Sequence, residues 1–254
     1  MISAVILTKN SARTLDKTLA SLTFLDEIVV VDTGSRDATL EIAQSYPNVQ
    51  IFHREFSHFG RLRNLSSSLA KNDWILSIDS DEVLSEPLQV ELRSLVPKDT
   101  CIYGLIRENY FHGKKITCCG WNREKRLRLY HRKKTRFREE YVHESLEKRS
   151  CVTRYLQGTL LHFPFPDGGH TEQDLLEKLQ HYTDLYAEQN RGKPASYKKA
   201  AFHGFWSFLR AYLLQRGILF GRRGWIISVY KGLSSYYKYA KLAEKNQENK
   251  GGTI

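Results

Sequence analysis

Apolar positions in the first hundred residues come as short runs separated by helix-period stretches. ISAVILT (2–8), EIVVVD (27–32), VQIFH (49–53) and DWILSID (73–79) are short and rich in β-branched residues, so each reads as a strand buried on both faces. Between the first two, SARTLDKTLASL puts Leu15, Leu19 and Leu22 on one helical face, with Ser11 as the N-cap. DATLEIAQSY (37–46) and the stretch from about Gly60 to Lys71 supply two further helices. Four strands separated by three helices predict an α/β fold, a mostly parallel sheet with flanking helices. From Thr171 the period turns helical through TEQDLLEKLQHYTDLYAEQN, SYKKAAFHGFWSFLRAYLLQRG and RRGWIISVYKGLSSYYKYAKLAEK. The expected division is an α/β domain over 1–165, its second half starting near residue 100, and a helical C-terminal region over 166–254.

An open parallel sheet binds ligands at the carboxyl ends of its strands, where loops offer backbone N–H groups and helix N-termini. The polar residues that follow the strands are Thr8, Lys9 and Asn10; Asp32, Thr33, Gly34, Ser35 and Asp37; and Asp79, Asp81 and Glu82. No GxGxxG or GxxxxGK[ST] run is present, which argues against a dinucleotide fold and a P-loop. An Asp-x-Asp after a strand suits a hard divalent cation, Mg²⁺ or Mn²⁺, able to bridge the oxygens of a diphosphate. An isolated match of this kind is often only a solvated acidic turn. The buried strand before this one and the two polar loops beside it favour the cation.

The net charge of +11 would suggest nucleic acid if it were spread evenly, but it is not. Residues 1–100 carry 10 basic and 14 acidic side chains, 101–160 carry 15 and 6, and 201–254 carry 9 and 2. Two different partners are implied. Arg126, Arg128, Arg132, Lys133, Lys134 and Arg136 are dense enough to meet phosphate groups. Cys101, Cys118, Cys119 and Cys151 show no CxxC spacing, and neither a signal peptide nor an 18-residue apolar run is present. A cytoplasmic, reduced protein with packed thiols is the expectation. The C-terminal helices mix aromatic residues with Arg210, Arg216, Arg222, Arg223 and Lys231. Such helices can lie at the anionic inner face of a membrane as a peripheral protein, or pack as a cap on the sheet domain.

VILTKN, VVVDTGSRDAT, FGRLRN and DWILSIDSDE, in that order and spacing, resemble the family 2 glycosyltransferases of the GT-A fold. RLRLY, VHESL and the Lys- and Tyr-rich helices are similar to the subgroup that adds glucose to the lipopolysaccharide inner core. The resemblance implies that Thr8, Asn10 and Asp32 grip the uracil and ribose of a UDP-sugar. It implies that Gly60 lets the backbone approach the donor, that Arg63 and Asn64 orient that region, and that Asp79 lies near ribose or sugar hydroxyls. Asp81 would ligate the metal. Asp37 caps the second helix or touches ligand. The second motif departs from its usual form, since Thr33 rather than a second acid follows Asp32, so base recognition rests on one carboxylate. The absence of a QxxRW segment and of membrane spans argues for a single-addition transferase over a processive synthase.

Inverting transfer to a hydroxyl needs one proton acceptor on the acceptor side. In EYVHESL, Glu144 is the expected general base, with His143 as a diphosphate or metal contact; simple strand alternation there is the bland reading. His162, at the end of another apolar run, completes the metal shell or is a packed histidine. Trp121 stacks on a sugar ring or is buried. The expected activity is metal-dependent, inverting transfer of a hexose, glucose by the subgroup likeness, from a UDP-sugar to a lipid-linked acceptor such as inner-core heptose or Kdo. A protein or other glycan as acceptor remains open. A sugar nucleotidyltransferase would need a Gly-rich, Arg-containing loop after the first strand, and TKNSART is not one. A non-enzymatic polyanion- or RNA-binding protein would show salt-sensitive nucleic-acid affinity and indifference to UDP; no nucleic acid is expected as partner.

Overall fold

The computed structural model describes residues 1–122, 124–139, 145–165 and 171–251. They form two compact units, Met1–Tyr110 with Arg123–Pro166, and Phe111–Asn122 with Asp167–Ile254. Among the described residues nine strands follow in chain order: β1 (Ile2–Thr8), β2 (Ile28–Asp32), β3 (Val49–His53), β4 (Trp74–Asp79), β5 (Glu82–Leu84), β6 (Cys101–Phe111), β7 (Lys114–Lys115), β8 (Glu124–His131) and β9 (Val152–His162). The helices of the first unit are α1 (Leu15–Ala20), α2 (Thr39–Gln44), α3 (Phe59–Leu69) and α4 (Glu86–Ser94).

In the first unit the strand order is β3-β2-β1-β4-β8-β6-β9-β5. The first four are parallel, as their β-branched runs predict; β6 and β9 share that direction, whereas β8 and β5 oppose it. This is the α/β, mostly parallel sheet with flanking helices that the GT-A resemblance implies. Alternation sorts each run between two cores. Ala4, Ile6, Ile28 and Val30 pack with Leu15, Leu19, Ala43 and Leu88 from α1, α2 and α4, while Val5, Val29, Val31 and Ile75 pack on the opposite face with Leu69 of α3. Burying both faces is what permits near-continuous apolar strands.

Register brings the strand ends together. Thr8 lies opposite Asp32, Leu7 opposite Asp79, and Asp32 opposite His53. On the far side of the sheet Glu82 pairs with His162, His162 with Asn109, and Arg107 with Glu124. Helix α1 starts later than the sequence predicts. The Ser11 carbonyl closes a turn by accepting from the N–H groups of Thr14 and Leu15, and the Ser11 hydroxyl pairs with Ser80 at 2.8 Å. It is therefore spent on joining the first loop to the acidic one instead of capping.

The second unit contains α5 (Thr171–Gln189), α6 (Tyr197–Leu209), a π-helical turn at Arg210–Leu214, a 3-10 turn at Gly217–Phe220 and α7 (Gly221–Gly251). Phe111–Asn122 packs with it: Cys119 is buried beside Ser228, and its carbonyl accepts from Lys231 at 2.6 Å. All four cysteines are free. Among the described residues no helix is long and apolar enough to cross a membrane.

Ser85 joins two elements of the first unit, its hydroxyl oxygen accepting from Leu88 N–H at the start of α4 and from Thr159 N–H of β9. Removing it leaves both donors without that acceptor. Ser85→Ala is expected to lower stability by about 1–2 kcal/mol in urea unfolding, at unchanged m-value.

Candidate active site

The loops after β1 and β2 are built as one piece. Asn10 sits at φ 49°, a left-handed conformation Asn tolerates, and braces the second loop by accepting from Arg36 N–H at 2.8 Å while its own N–H donates to the Ser35 hydroxyl at 2.9 Å. Asp32 is almost fully buried and accepts from Gly34 N–H, Ser35 N–H and the Ser35 hydroxyl. Burial pushes its carboxyl up, but the Ser35 hydroxyl and these backbone donors outweigh it and hold the group below its ordinary value. Asp37 accepts from Thr39 N–H, the Thr39 hydroxyl and Ala12 N–H, so it holds the start of α2 to the first loop. Thr8 is buried, and its hydroxyl oxygen has no hydrogen-bond partner among the described residues.

In the segment after β4 the acids divide by role. Asp79 accepts from Arg63 on one oxygen and Arg128 on the other, each at 2.5 Å. Glu82, with no exposed surface, accepts from Arg128 at 2.6 Å and Arg107 at 3.1 Å on Oε1, and from Asp79 N–H at 3.0 Å on Oε2. Burial raises Asp79, but Arg128 and then Arg63 hold it well below the usual carboxylate range. The network continues through Arg107 to Glu124 at 2.6 Å. Asp79, expected near ribose or sugar hydroxyls, thus has both oxygens engaged by arginines.

Asp81 lies between these two anchors. Its carbonyl accepts from Phe163 N–H at 2.8 Å, and its Oδ1 is 3.5 Å from His162 Nε2. The orientation of that ring follows from the next residues. Glu124 accepts from Asn109 Nδ2 at 3.2 Å, which turns Asn109 Oδ1 toward His162 Nδ1 at 2.5 Å. Because an amide oxygen only accepts, Nδ1 carries an N–H, and when the ring is neutral its lone pair sits on Nε2, the nitrogen facing Asp81. Donors bound side by side on an octahedral ion at about 2.1 Å are about 3 Å apart, so a carboxylate and an imidazole nitrogen at this separation fit one small divalent cation. Among the described residues no group of three or more His, Cys, Asp or Glu side chains could hold a metal. A two-donor site of this kind takes its remaining ligands from phosphate and water.

FGRLRN docks α3. An ideal Cβ on Gly60 would lie 2.0 Å from the Arg138 carbonyl oxygen, so the glycine admits that backbone. Arg63 is buried and donates to Ser77 and Asp79, and Asn64 exchanges two hydrogen bonds with the backbone of Phe137 at 2.9 Å each. Of the basic run expected to meet anions, Arg128 is buried and Arg132 half-buried, whereas Arg126, Lys133, Lys134 and Arg136 are exposed. Arg128 is buried on Asp79 and Glu82, Arg132 and Lys133 pair with Asp73, and Arg126 pairs with Glu124. Arg128, Arg132 and Lys133 thereby answer Asp73, Asp79 and Glu82 of the first hundred residues. Trp121 belongs to the second unit, edge-on to Phe111 and Tyr230. His143 and Glu144 lie outside the described residues. Asn109, Arg107 and Glu124 were missed from sequence; the trace they left is that Arg107 and Asn109 fall on the buried phase of β6, where an apolar residue is the norm.

Arg128→Met leaves Asp79 and Glu82 sharing one fewer cation in a buried site, and is expected to cost about 3–5 kcal/mol in chemical denaturation. Ser35→Ala removes the hydroxyl from Asp32. A carboxyl held below its unfolded value of about 3.9 stabilises the fold above that pH and loses the contribution as pH falls. Ser35→Ala should therefore raise the Asp32 titration seen by NMR and cost about 1.5–3 kcal/mol at neutral pH, the deficit shrinking in acid.

Comparison with known proteins places this site in context. An uncharacterized glycosyltransferase of Rickettsia typhi is 27% identical over 258 residues, covering 96% of this chain and 87% of the relative. The lipopolysaccharide core biosynthesis glycosyltransferase LpsC of Rhizobium meliloti is 27% identical over 255 residues, covering 96% and 93%. Among solved structures, the mannosyltransferase PcManGT from Pyrobaculum calidifontis, in complex with GDP-Man and Mn²⁺, is 14% identical, with 98% of this chain and 87% of that one covered and a TM-score of 0.49. The model of glycosyl transferase family 2 matches residues 3–150, more than half of the sequence and all four parallel strands, and the chain belongs to that family.

Proposed function

We propose that this glycosyltransferase moves a hexose, glucose in the first instance, from a UDP-sugar to a lipid-linked acceptor of the lipopolysaccharide inner-core type, with inversion at the anomeric carbon. The observation that carries the reading is the pair of Asp81 Oδ1 and His162 Nε2 at 3.5 Å, beside the carboxyl end of β4. Asp81 and His162 would hold Mg²⁺ or Mn²⁺; an imidazole beside a carboxylate favours Mn²⁺ of the two. When bound, that ion neutralises the charge growing on the departing diphosphate. Asp32, Thr8 and Asn10 line the loops proposed to take the nucleoside, and the low proton affinity of Asp32 keeps it an acceptor for ribose hydroxyls. His143 is an alternative contact for the diphosphate or metal.

Glu144 is proposed to take the proton from the acceptor hydroxyl as that oxygen attacks the anomeric carbon. The acceptor class is supported by the LpsC relative, whose name links it to lipopolysaccharide core biosynthesis. Such an acceptor is membrane-borne, so we place the enzyme at the cytoplasmic face of the inner membrane as a peripheral protein. The domain that holds the donor is 1–165, and the helical region 166–254 is its membrane-proximal part.

Thermal melting tests the donor site directly. UDP with Mn²⁺ at a hundred times the dissociation constant should stabilise the wild type by about 2.7 kcal/mol. Asp81→Ala and His162→Ala should lose the Mn²⁺-dependent part and keep the fold. UDP release from UDP-glucose with purified lipid acceptor should drop about 10²–10⁴-fold in Glu144→Gln while the melting response persists. A wild type indifferent to millimolar UDP and Mn²⁺ contradicts the donor reading, and full turnover in Glu144→Gln contradicts the base.

A further inference from the structure

Helix α6 is amphipathic in the reverse of the usual sense. Its small residues Ala200 and Gly204 are buried, and so is Ala211 in the turn that follows, while Phe202, Phe205 and Trp206 are 66%, 65% and 48% exposed. The inward face is tight because small residues let the backbones approach. An ideal Cβ on Gly204 would be 2.9 Å from Tyr236 Cβ and 3.2 Å from the Gly232 carbonyl oxygen of α7. Close helix packing through small residues with large apolar side chains outside is the arrangement of helices solvated by lipid, not by water.

The exposed face continues around the elbow between α6 and α7. In the π-helical turn Leu213 and Leu214 are exposed; in the 3-10 turn Ile218 and Leu219 are exposed, Leu219 at 74%. Trp225, one turn into α7, is half exposed and packs edge-on with Phe208 and Tyr212. The left-handed Arg216, at φ 61°, sets the bend between the two apolar turns. A contiguous stretch of large apolar side chains of this extent marks an interaction surface.

The charge around it selects the partner. From Gln189 to Ala243 the chain carries eleven Lys or Arg residues and no Asp or Glu. Arg210, Arg216 and Arg222 are exposed within the elbow itself. Apolar side chains flanked by arginines, with tryptophans whose rings carry an apolar body and a polar N–H, match the boundary between acyl chains and anionic headgroups.

We propose that the α6–α7 elbow docks on an anionic phospholipid bilayer, inserting Leu213, Leu214, Ile218 and Leu219 at headgroup depth while Arg210, Arg216 and Arg222 meet the lipid phosphates. The inference deepens the proposed function, resting on it only for the use of such docking, which is to hold the enzyme where a lipid-linked acceptor lies.

The test is flotation of the full chain with vesicles of phosphatidylglycerol and phosphatidylcholine, or of phosphatidylcholine alone. Wild type should float with the anionic vesicles and lose most binding on the neutral ones. Leu214→Asp with Leu219→Asp should lower partitioning on the order of a hundredfold at unchanged melting temperature and unchanged response to UDP and Mn²⁺. Arg210→Glu with Arg216→Glu should lower it on the order of fivefold per residue on anionic vesicles only. Brominated lipid should quench wild-type fluorescence, and Trp206→Phe with Trp225→Phe should remove that quenching. Wild type that fails to float, or aspartate variants that float as well as it does, overturn the proposal. So does a wild-type dimer in sedimentation that the aspartate substitutions dissolve, since the surface would then face a second copy. Vesicle binding intact in a protein blind to UDP supports the surface and contradicts the donor reading instead.

Discussion

Asp79 and Glu82 leave the end of β4 three residues apart and share the guanidinium of Arg128, and the arrangement of the site depends on that shared contact. Two carboxylates this close and this buried would repel and be driven to take up protons. Arg63, Arg107 and Arg128 remove that cost together, and Arg107 passes the network on to Glu124. Each arginine comes from a different element, α3, β6 and β8, so the ion network also fixes those elements against β4. Buried pairs of this kind contribute little net stability over an apolar filling, but breaking one is costly. Their effect here is geometric.

What the network positions is the residue between the two anchors. Asp81 is held by its backbone to Phe163 and flanked by Ser80, whose hydroxyl and carbonyl are engaged by Ser11 and Thr18. His162 reaches the same point from β9, its ring fixed by Asn109, which Glu124 fixes in turn. A continuous path of hydrogen bonds therefore runs from His162 through Asn109, Glu124, Arg107, Glu82 and Arg128 to Asp79. Supporting partners of this kind orient a ligand and set which nitrogen offers its lone pair. Of the three acids in the segment after β4, Asp79 and Glu82 hold the loop, and Asp81 is the one that faces His162.

The parallel half of the sheet was legible because its evidence is local: four β-branched runs, separated by helix-period stretches, could be read without knowing what they touch. The polar loops after β1, β2 and β4 were legible for the same reason, since an open parallel sheet brings its strand ends to one edge. β5, β6 and β8 were not read as strands, because β8 is the basic run EKRLRLYH and β6 carries Arg107 and Asn109 on its buried phase. Polar residues satisfied only by partners distant in sequence break the apolar pattern on which strand reading relies. Part of the charge imbalance between segments is answered within the fold, where Asp73, Asp79 and Glu82 pair with Arg128, Arg132, Lys133 and Arg107. The stretch from Gln189 to Ala243 carries no acid of its own, and its Arg191 and Lys241 pair with Glu188 and Asp184 just before it.

Anomalous diffraction at the manganese edge, from crystals grown with UDP and Mn²⁺, reads the central assignment most directly. The account predicts a manganese peak bonded to Asp81 and His162 Nε2 and to the diphosphate, with Asp79 still held by Arg63 and Arg128. A peak ligated by Asp79 with its arginines displaced, or UDP bound with no manganese near Asp81, would contradict it.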